Sequence, residues 1–236
     1  MSERVCEELL FSKVISVVAL AASLMEGSMD AAIPDKDVDS TFYLINRQHE
    51  IHENYVPETR KVNVTGMSQT MRDDAATALE EMFEAAKQES NISLASVSGY
   101  RSYSRQSAIY ARKRSSAGKA KADLLVALPG TSEHQLGLAM DVARKGSSQL
   151  NSSFGKTKEG IWVKENAHRF GFVIRYQEEW VDITGYSYEP WHIRYVGKGH
   201  AQAMFEANVP MEIYVSAHRL EIYDFLIHLS LDEVDP

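Results

Sequence analysis

The chain has 236 residues, of which 44% are hydrophobic and 25% are charged, a composition typical of a globular protein and unlike that of a disordered chain. Its formal net charge of -8 argues against nucleic acid as a partner, and we interpret the short basic run at residues 112–114 (RKR) as a solvated helix end. With Cys6 as its single cysteine, the chain has no intrachain disulfide and no cysteine-rich zinc site, so any metal must be bound by His and carboxylate groups.

An apolar stretch at residues 14–25 (VISVVALAASLM) follows Lys13. It is shorter than the roughly 20 residues of a transmembrane helix and resembles the hydrophobic region of a signal peptide or a short membrane anchor. The residues before it are acidic on balance, which is unusual for a signal peptide, so a buried amphipathic helix is the alternative. Gly, Pro and Asp residues at 27–39 then indicate a linker, and we expect residues 1–40 to precede the folded domain.

The first half of the domain alternates short strand and helix patterns. Residues 42–45 (FYLI) predict a short strand. Apolar residues recur at steps of three and four between residues 71 and 89, which predicts a helix with one buried face. A strand is predicted over residues 92–97, and Ser104 is the candidate N-cap of a second helix.

The second half continues in the same manner. It predicts strands over residues 138–142 and 172–176 and helices over residues 160–169 and 198–208, with Gly171 as the C-cap of the first of these helices. Strands and helices interleave without a strict βαβ rhythm. This order predicts a single α+β catalytic domain in which helices pack on a mainly antiparallel central sheet.

The segment SEHQLGLAMD at residues 132–141 contains the first candidate site residues, His134 and Asp141. A single histidine beside a strand is more often structural than a metal ligand. Here, however, Gly137 allows a close backbone turn, and Asp141 lies on a strand with a buried face. A buried carboxylate needs a partner, and a cation is one solution.

The segment YEPWH at residues 188–192 contains the second set of candidates. Two imidazoles, from His134 and His192, and one carboxylate suit zinc and leave a fourth coordination position open for water. Glu189 lies close in sequence to a ligand without being one, so it is the candidate general base. Trp191 can wall one side of a cleft and exclude water.

These segments resemble the zinc D-alanyl-D-alanine carboxypeptidases of bacterial cell walls, which include vancomycin-resistance carboxypeptidases and related L,D-carboxypeptidases. The resemblance is carried by SEHQLGLAMD and EPWH, with support from SGYRSYSRQ at residues 98–106 and TGYSYEPWHIRYVG at residues 184–197. It covers about residues 41–215, the predicted catalytic domain, and leaves residues 216–236 as a C-terminal tail.

The resemblance implies roles for individual residues. It implies one Zn2+ per chain, bound by His134, Asp141 and His192, with Glu189 as the catalytic base. Arg101 would contact the terminal carboxylate of the substrate or stabilise the developing oxyanion. Substrate contacts would come from Gln106, Ser132 and Trp191, although Ser132 could instead cap a turn.

The expected activity is therefore hydrolysis of the terminal D-alanine bond of peptidoglycan stem peptides, in either D,D or L,D configuration. Two alternatives stay open: a peptidoglycan endopeptidase that cuts cross-bridges, and a zinc-stabilised binding module that has lost catalysis. The expected location is the cell envelope or the exterior, with membrane contact only through an N-terminal anchor.

Overall fold

The computed structural model describes residues 37–217. The apolar stretch at residues 14–25 and nearly all of the predicted tail lie outside these residues, so the domain boundaries at residues 40 and 215 stay predictions. Within residues 37–217, no helix is both long enough and apolar enough to cross a bilayer.

A four-stranded antiparallel sheet forms the centre of the fold. Its strands are β3 (Leu94–Ser98), β4 (Ala139–Arg144), β5 (Phe172–Ile174) and β6 (His192–Tyr195), in the order β3-β4-β6-β5. A separate antiparallel pair consists of β1 (Arg60–Lys61) and β2 (Thr70–Met71). Every strand pair is antiparallel, which confirms the predicted α+β class with a mainly antiparallel sheet.

Helices occupy the connections between the strands. The α-helices are α1 (Asp73–Ser90), α2 (Tyr103–Ala117), α3 (Lys119–Leu125), α4 (Lys158–Asn166), α5 (Val181–Thr184) and α6 (Lys198–Ala207), and residues 211–217 are also helical. Short 3-10 helices are found at Glu133–Leu136, Ser152–Lys156, Ala167–Phe170 and Glu178–Trp180. The predicted apolar face of α1 is buried, except that Met71 belongs to β2 and not to the helix. The buried residues of α1 are Ala75, Ala76, Ala78, Leu79, Met82, Phe83 and Ala86.

Three local predictions differ from the structure. Residues 42–45 form no strand, because the Ser40 hydroxyl and carbonyl accept the amides of Phe42 and Tyr43 at 3.2 Å each and fold the chain into a turn. Helix α2 is capped by Ser102, whose hydroxyl accepts from the Arg105 amide, and not by Ser104. Strand β6 was not predicted, although it begins at the candidate ligand His192.

The described residues fall into two compact units. The larger one, Ile45–Gln202, contains the whole central sheet and every candidate site residue. In the smaller one, the rings of Phe42 and Tyr214 pack edge to face with centroids 5.6 Å apart.

Candidate metal and catalytic site

Two of the candidate ligands lie opposite each other in the central sheet. Asp141 in β4 and His192 in β6 are direct partners in the antiparallel register, and the Val142 amide donates to the Trp191 carbonyl at 2.9 Å beside them. Opposed side chains of such a pair share one face of the sheet. The His192 Nδ1 atom accordingly lies 3.1 Å from Oδ1 of Asp141.

The third candidate ligand, His134, enters from the 3-10 helix that precedes β4. This helix ends at Gly137, whose φ of 71° is a left-handed conformation that favours glycine. The Nδ1 atom of His134 lies 2.8 Å from the Gly99 carbonyl oxygen. Because a carbonyl can only accept, Nδ1 carries the proton, and Nε2 of the neutral ring has a free lone pair.

The Nε2 lone pair of His134 faces the Asp141 carboxylate, which is also an acceptor, so the two atoms repel each other. His134 Nε2 is buried, has no hydrogen-bond partner among the described residues, and lies 3.4 Å from Oδ1 of Asp141. Burial and the nearby Arg101 lower the pKa of His134 to about 4, so no ring proton can bridge the two atoms near neutral pH. A cation placed between them would remove this repulsion.

The donor set fits a divalent metal ion. One potential ligand atom from each of His134, Asp141 and His192 lies within 4.8 Å of the others, and all three residues are buried. Burial would raise the pKa of Asp141, but the hydrogen bond and the positive charge of His192 hold it well below its usual range, so the carboxylate is ionised. Two imidazoles and one carboxylate are the ligand set of many zinc sites that leave one position open.

Glu189 lies beside this site at the start of a tight turn. The His192 amide donates to the Glu189 carbonyl at 3.1 Å, with Pro190 and Trp191 at the central turn positions, where proline is favoured in the first of them. The Glu189 amide donates in turn to the Tyr176 carbonyl at 2.9 Å. Burial in the pocket raises the pKa of the Glu189 carboxyl group to about 8.

A single pocket of about 270 Å³ brings the sequence-predicted residues together. Two of the residues that line it each have a buried polar atom without a hydrogen-bond partner within residues 37–217, namely Nε of Arg101 and Oε1 of Gln106. The Ser132 side chain makes no capping hydrogen bond to the 3-10 helix that follows it. The pocket lining includes all eight predicted residues, which are Arg101, Gln106, Ser132, His134, Asp141, Glu189, Trp191 and His192.

A buried group of charges beside His192 was not predicted from the sequence. Glu133 accepts from Arg175 Nε at 2.8 Å and from Arg194 Nη1 at 3.0 Å, and it also contacts His192. One signal was available in the sequence. Arg175 and Arg194 interrupt the apolar runs FVIRY and HIRY, and an arginine inside a buried strand needs a buried acidic partner.

A sequence model of the VanY family (D-alanyl-D-alanine carboxypeptidase) matches residues 68–198, which is more than half of the 236-residue chain. The chain belongs to this family. The VanY-family match contains all eight pocket residues predicted from the sequence, from Arg101 to His192.

Individual relatives agree with the VanY-family assignment. YodJ of Bacillus subtilis (strain 168) is 45% identical over 179 residues, which cover 72% of this chain and 65% of YodJ, so the chain spans just under two thirds of that relative. The structure of the LdcB LD-carboxypeptidase superposes with a TM-score of 0.72 at 40% identity and covers 80% of this chain and 92% of LdcB. A Zn(II) complex of a point mutant of the vancomycin-resistance D,D-pentapeptidase VanY gives a TM-score of 0.65 at 33% identity, with 74% and 98% of the two chains covered.

Proposed function

We propose that this VanY-family chain is a zinc-dependent carboxypeptidase that hydrolyses the terminal D-alanine bond of peptidoglycan stem peptides. The observation that carries the proposal is the unprotonated Nε2 of His134 facing the Asp141 carboxylate at 3.4 Å, beside His192 and in the same pocket as Glu189. The related VanY pentapeptidase was crystallised with Zn(II), which supports zinc as the metal.

Zinc bound by His134, Asp141 and His192 would polarise the scissile carbonyl and make water a nucleophile near neutral pH. The Glu189 carboxylate accepts a proton from the attacking water and returns it to the leaving amine nitrogen, so that one water molecule is consumed for each amide bond broken. Without a cation, burial favours the protonated form of Glu189. A nearby divalent charge favours the ionised form, which is the one that acts as a base.

Arg101 is the candidate anchor for the substrate's end. Its guanidinium group lies at the pocket, with Nη2 3.7 Å from Oδ2 of Asp141, while its Nε atom lacks a hydrogen-bond partner in the described part of the chain. A planar cationic fork with a free donor suits a terminal carboxylate, or the oxyanion that forms from the scissile carbonyl.

Gln106 and Ser132 supply candidate polar contacts to the peptide. The Gln106 Nε2 atom donates to the Ala127 carbonyl at 2.7 Å, while its Oε1 acceptor has no hydrogen-bond partner among the described residues. A peptide N–H of the substrate is a suitable donor to this oxygen, and the Ser132 hydroxyl can pair with a carboxylate or carbonyl. Trp191 lines the same pocket and would exclude water from the reacting centre.

The place of action follows from the substrate. Assembled peptidoglycan lies in the cell envelope, and we propose that the protein acts there or outside the cell. The related LdcB structure is described as showing the basis of peptidoglycan recognition, and it covers 80% of this chain.

The experiment is product analysis by mass spectrometry after zinc-loaded protein is incubated with matched tripeptide, tetrapeptide and pentapeptide stems. Loss of one D-alanine from the pentapeptide shows D,D-activity, and loss from the tetrapeptide shows L,D-activity. Cleavage of cross-bridges in intact sacculi, without release of D-alanine from soluble stems, would support an endopeptidase. No product from any substrate would contradict the proposal.

A further inference from the structure

A buried carboxylate that the proposed reaction does not use lies against His192. Oε2 of Glu133 is 2.9 Å from Nε2 of His192, the ring nitrogen that faces away from Asp141. Glu133 is 1% exposed, so its oxygens must find partners within the protein. An ionised carboxylate only accepts hydrogen bonds, so the ring nitrogen in contact with it must carry a proton.

Two buried arginines decide which oxygen of Glu133 reaches the ring. Arg175 Nε donates to Oε1 at 2.8 Å, and Arg194 Nη1 donates to the same oxygen at 3.0 Å. Arg194 belongs to β6 and Arg175 directly follows β5, so the central sheet holds both donors in place. Oε2 is therefore the oxygen that remains for His192.

A purely structural role for Glu133 predicts a different arrangement. A carboxylate that only neutralised two arginines would need no contact with a candidate metal ligand. Instead, both arginines donate to Oε1, and Oε2 points at a candidate metal ligand. The contact lies on the side of the ring away from Asp141, where a hydrogen bond can set which nitrogen is free to bind metal.

We propose that Glu133 is a positioning residue that holds the His192 proton on Nε2 and thereby directs the Nδ1 lone pair to the metal. This inference rests on the metal site of the proposed function. The Gly99 carbonyl and the Glu133 carboxylate then have the same role, because each holds the proton on the ring nitrogen that does not bind metal. The carbonyl does this for His134 and the carboxylate for His192. Hydrogen-bond partners of this kind change metal affinity by about 10- to 100-fold.

The variant Glu133→Gln tests the proposal. The amide oxygen is needed by the two arginines, so the amide NH2 group is left facing Nε2 of His192. Two donors, the new amide NH2 group and the Nε2–H of His192, would then face each other. This contact favours the other tautomer of His192, in which the proton is on Nδ1 and Nδ1 cannot bind metal. Chelator competition should show a zinc Kd that is about 10- to 100-fold higher than that of the wild type.

A matched control removes another carboxylate from a guanidinium pair. Glu80 accepts from Arg60 Nη1 at 2.7 Å, and neither residue lines the pocket. Glu80→Gln should leave the zinc Kd unchanged even where it lowers the melting temperature. A zinc Kd for Glu133→Gln equal to those of the wild type and the control would overturn the proposal.

A measurement on the wild-type protein covers the case in which Glu133→Gln does not fold. Nitrogen-15 spectra of histidine-labelled, zinc-loaded protein distinguish a metal-bound ring nitrogen from one that carries a proton. We expect metal on Nδ1 of His192 and an exchange-protected proton on Nε2; metal on Nε2 would overturn the proposal. Neither measurement involves peptide cleavage, so a zinc-binding protein that cleaves no stem peptide would count against the proposed reaction alone.

Discussion

Asp141 and His192 are directly opposed across β4 and β6, with Oδ1 and Nδ1 3.1 Å apart, although 51 positions separate them in the chain. The sheet register alone brings these two candidate ligands together. His134 completes the set from the short helix before β4, where the Gly99 carbonyl orients its ring. The candidate metal site is thus built on strands and a short helix that other backbone contacts hold in place.

The clearest test of the catalytic base is Glu189→Gln. This variant keeps the shape of the side chain but cannot accept a proton, so kcat should fall by about 10²- to 10⁴-fold while zinc still binds. Stem-peptide kinetics and a zinc titration measure the two effects separately. Glu178→Gln, at an exposed position outside the pocket, is the control and should retain wild-type kcat. Near-wild-type turnover in Glu189→Gln would refute the assignment.

Arg101→Lys separates the two roles open to Arg101. The lysine keeps a positive charge but loses the planar fork. If Arg101 anchors the substrate's carboxylate, KM should rise with little change in kcat; if it stabilises the oxyanion, kcat should fall by about 10²- to 10³-fold. The exposed Arg105→Lys variant should change neither constant. Unchanged kinetics in Arg101→Lys would exclude both roles.

Zinc binding should release protons. Without a cation, burial alone would lower the pKa of His192, but the hydrogen bonds to Asp141 and Glu133 outweigh it and raise the pKa to about 9. The pKa of Glu189 is raised to about 8, so both groups are protonated at pH 7. Ligation through Nδ1 displaces the proton on that nitrogen of His192 and leaves the one on Nε2, and the metal charge favours ionised Glu189, so roughly two protons should leave.

Calorimetry at pH 7 in buffers of different ionisation enthalpy measures this release. Zinc affinity should rise with pH up to about 9, since fewer protons then need to leave. In Glu189→Gln the number of protons released should fall by about one. A binding enthalpy that is the same in all buffers would show that the groups are not protonated as described.

Gly99→Ala should damage both stability and the metal site. A Cβ at this position would lie 2.6 Å from the Thr70 carbonyl oxygen, which is backbone and cannot move aside easily. We expect a loss of about 1–3 kcal/mol in the free energy of unfolding. Zinc affinity should also fall, because the Gly99 carbonyl orients His134.

The control is Gly199→Ala, where a Cβ meets no atom within 4 Å. Denaturant unfolding should show no loss of stability for this variant, because alanine is favoured over glycine in a helix, and its zinc affinity should equal that of the wild type. If Gly99→Ala kept wild-type stability and zinc affinity, the backbone after β3 would be able to shift without disturbing His134, and this prediction would be wrong.

Sequence patterns predicted the elements that repeat regularly. The apolar steps of three and four gave α1, and the runs that became β3 and β4 were located within a few residues. Residues 42–45 were predicted wrongly because apolar side chains favour a strand there, while hydrogen bonds to Ser40 hold the backbone in a turn. Local side-chain acceptors can outweigh strand propensity over so short a segment.

The site residues named from the sequence lie in one pocket, whereas the charged group beside them was not predicted. The motifs around His134 and Glu189 supplied most of the pocket residues named from the sequence, since each motif contains its own residue types at fixed spacing. Glu133 was not identified, although it lies next to His134. Its role depends on Arg175, His192 and Arg194, which lie 42, 59 and 61 positions further along the chain. These groups contact Glu133 through the tertiary fold, and the local sequence around Glu133 does not reveal them.

The most direct test of the account is anomalous diffraction from zinc-loaded crystals, recorded above and below the zinc absorption edge. We predict one strong anomalous peak per chain, bounded by Nε2 of His134, a carboxylate oxygen of Asp141 and Nδ1 of His192. A peak at other residues, or no peak at this site in crystals shown to contain zinc, would contradict the account.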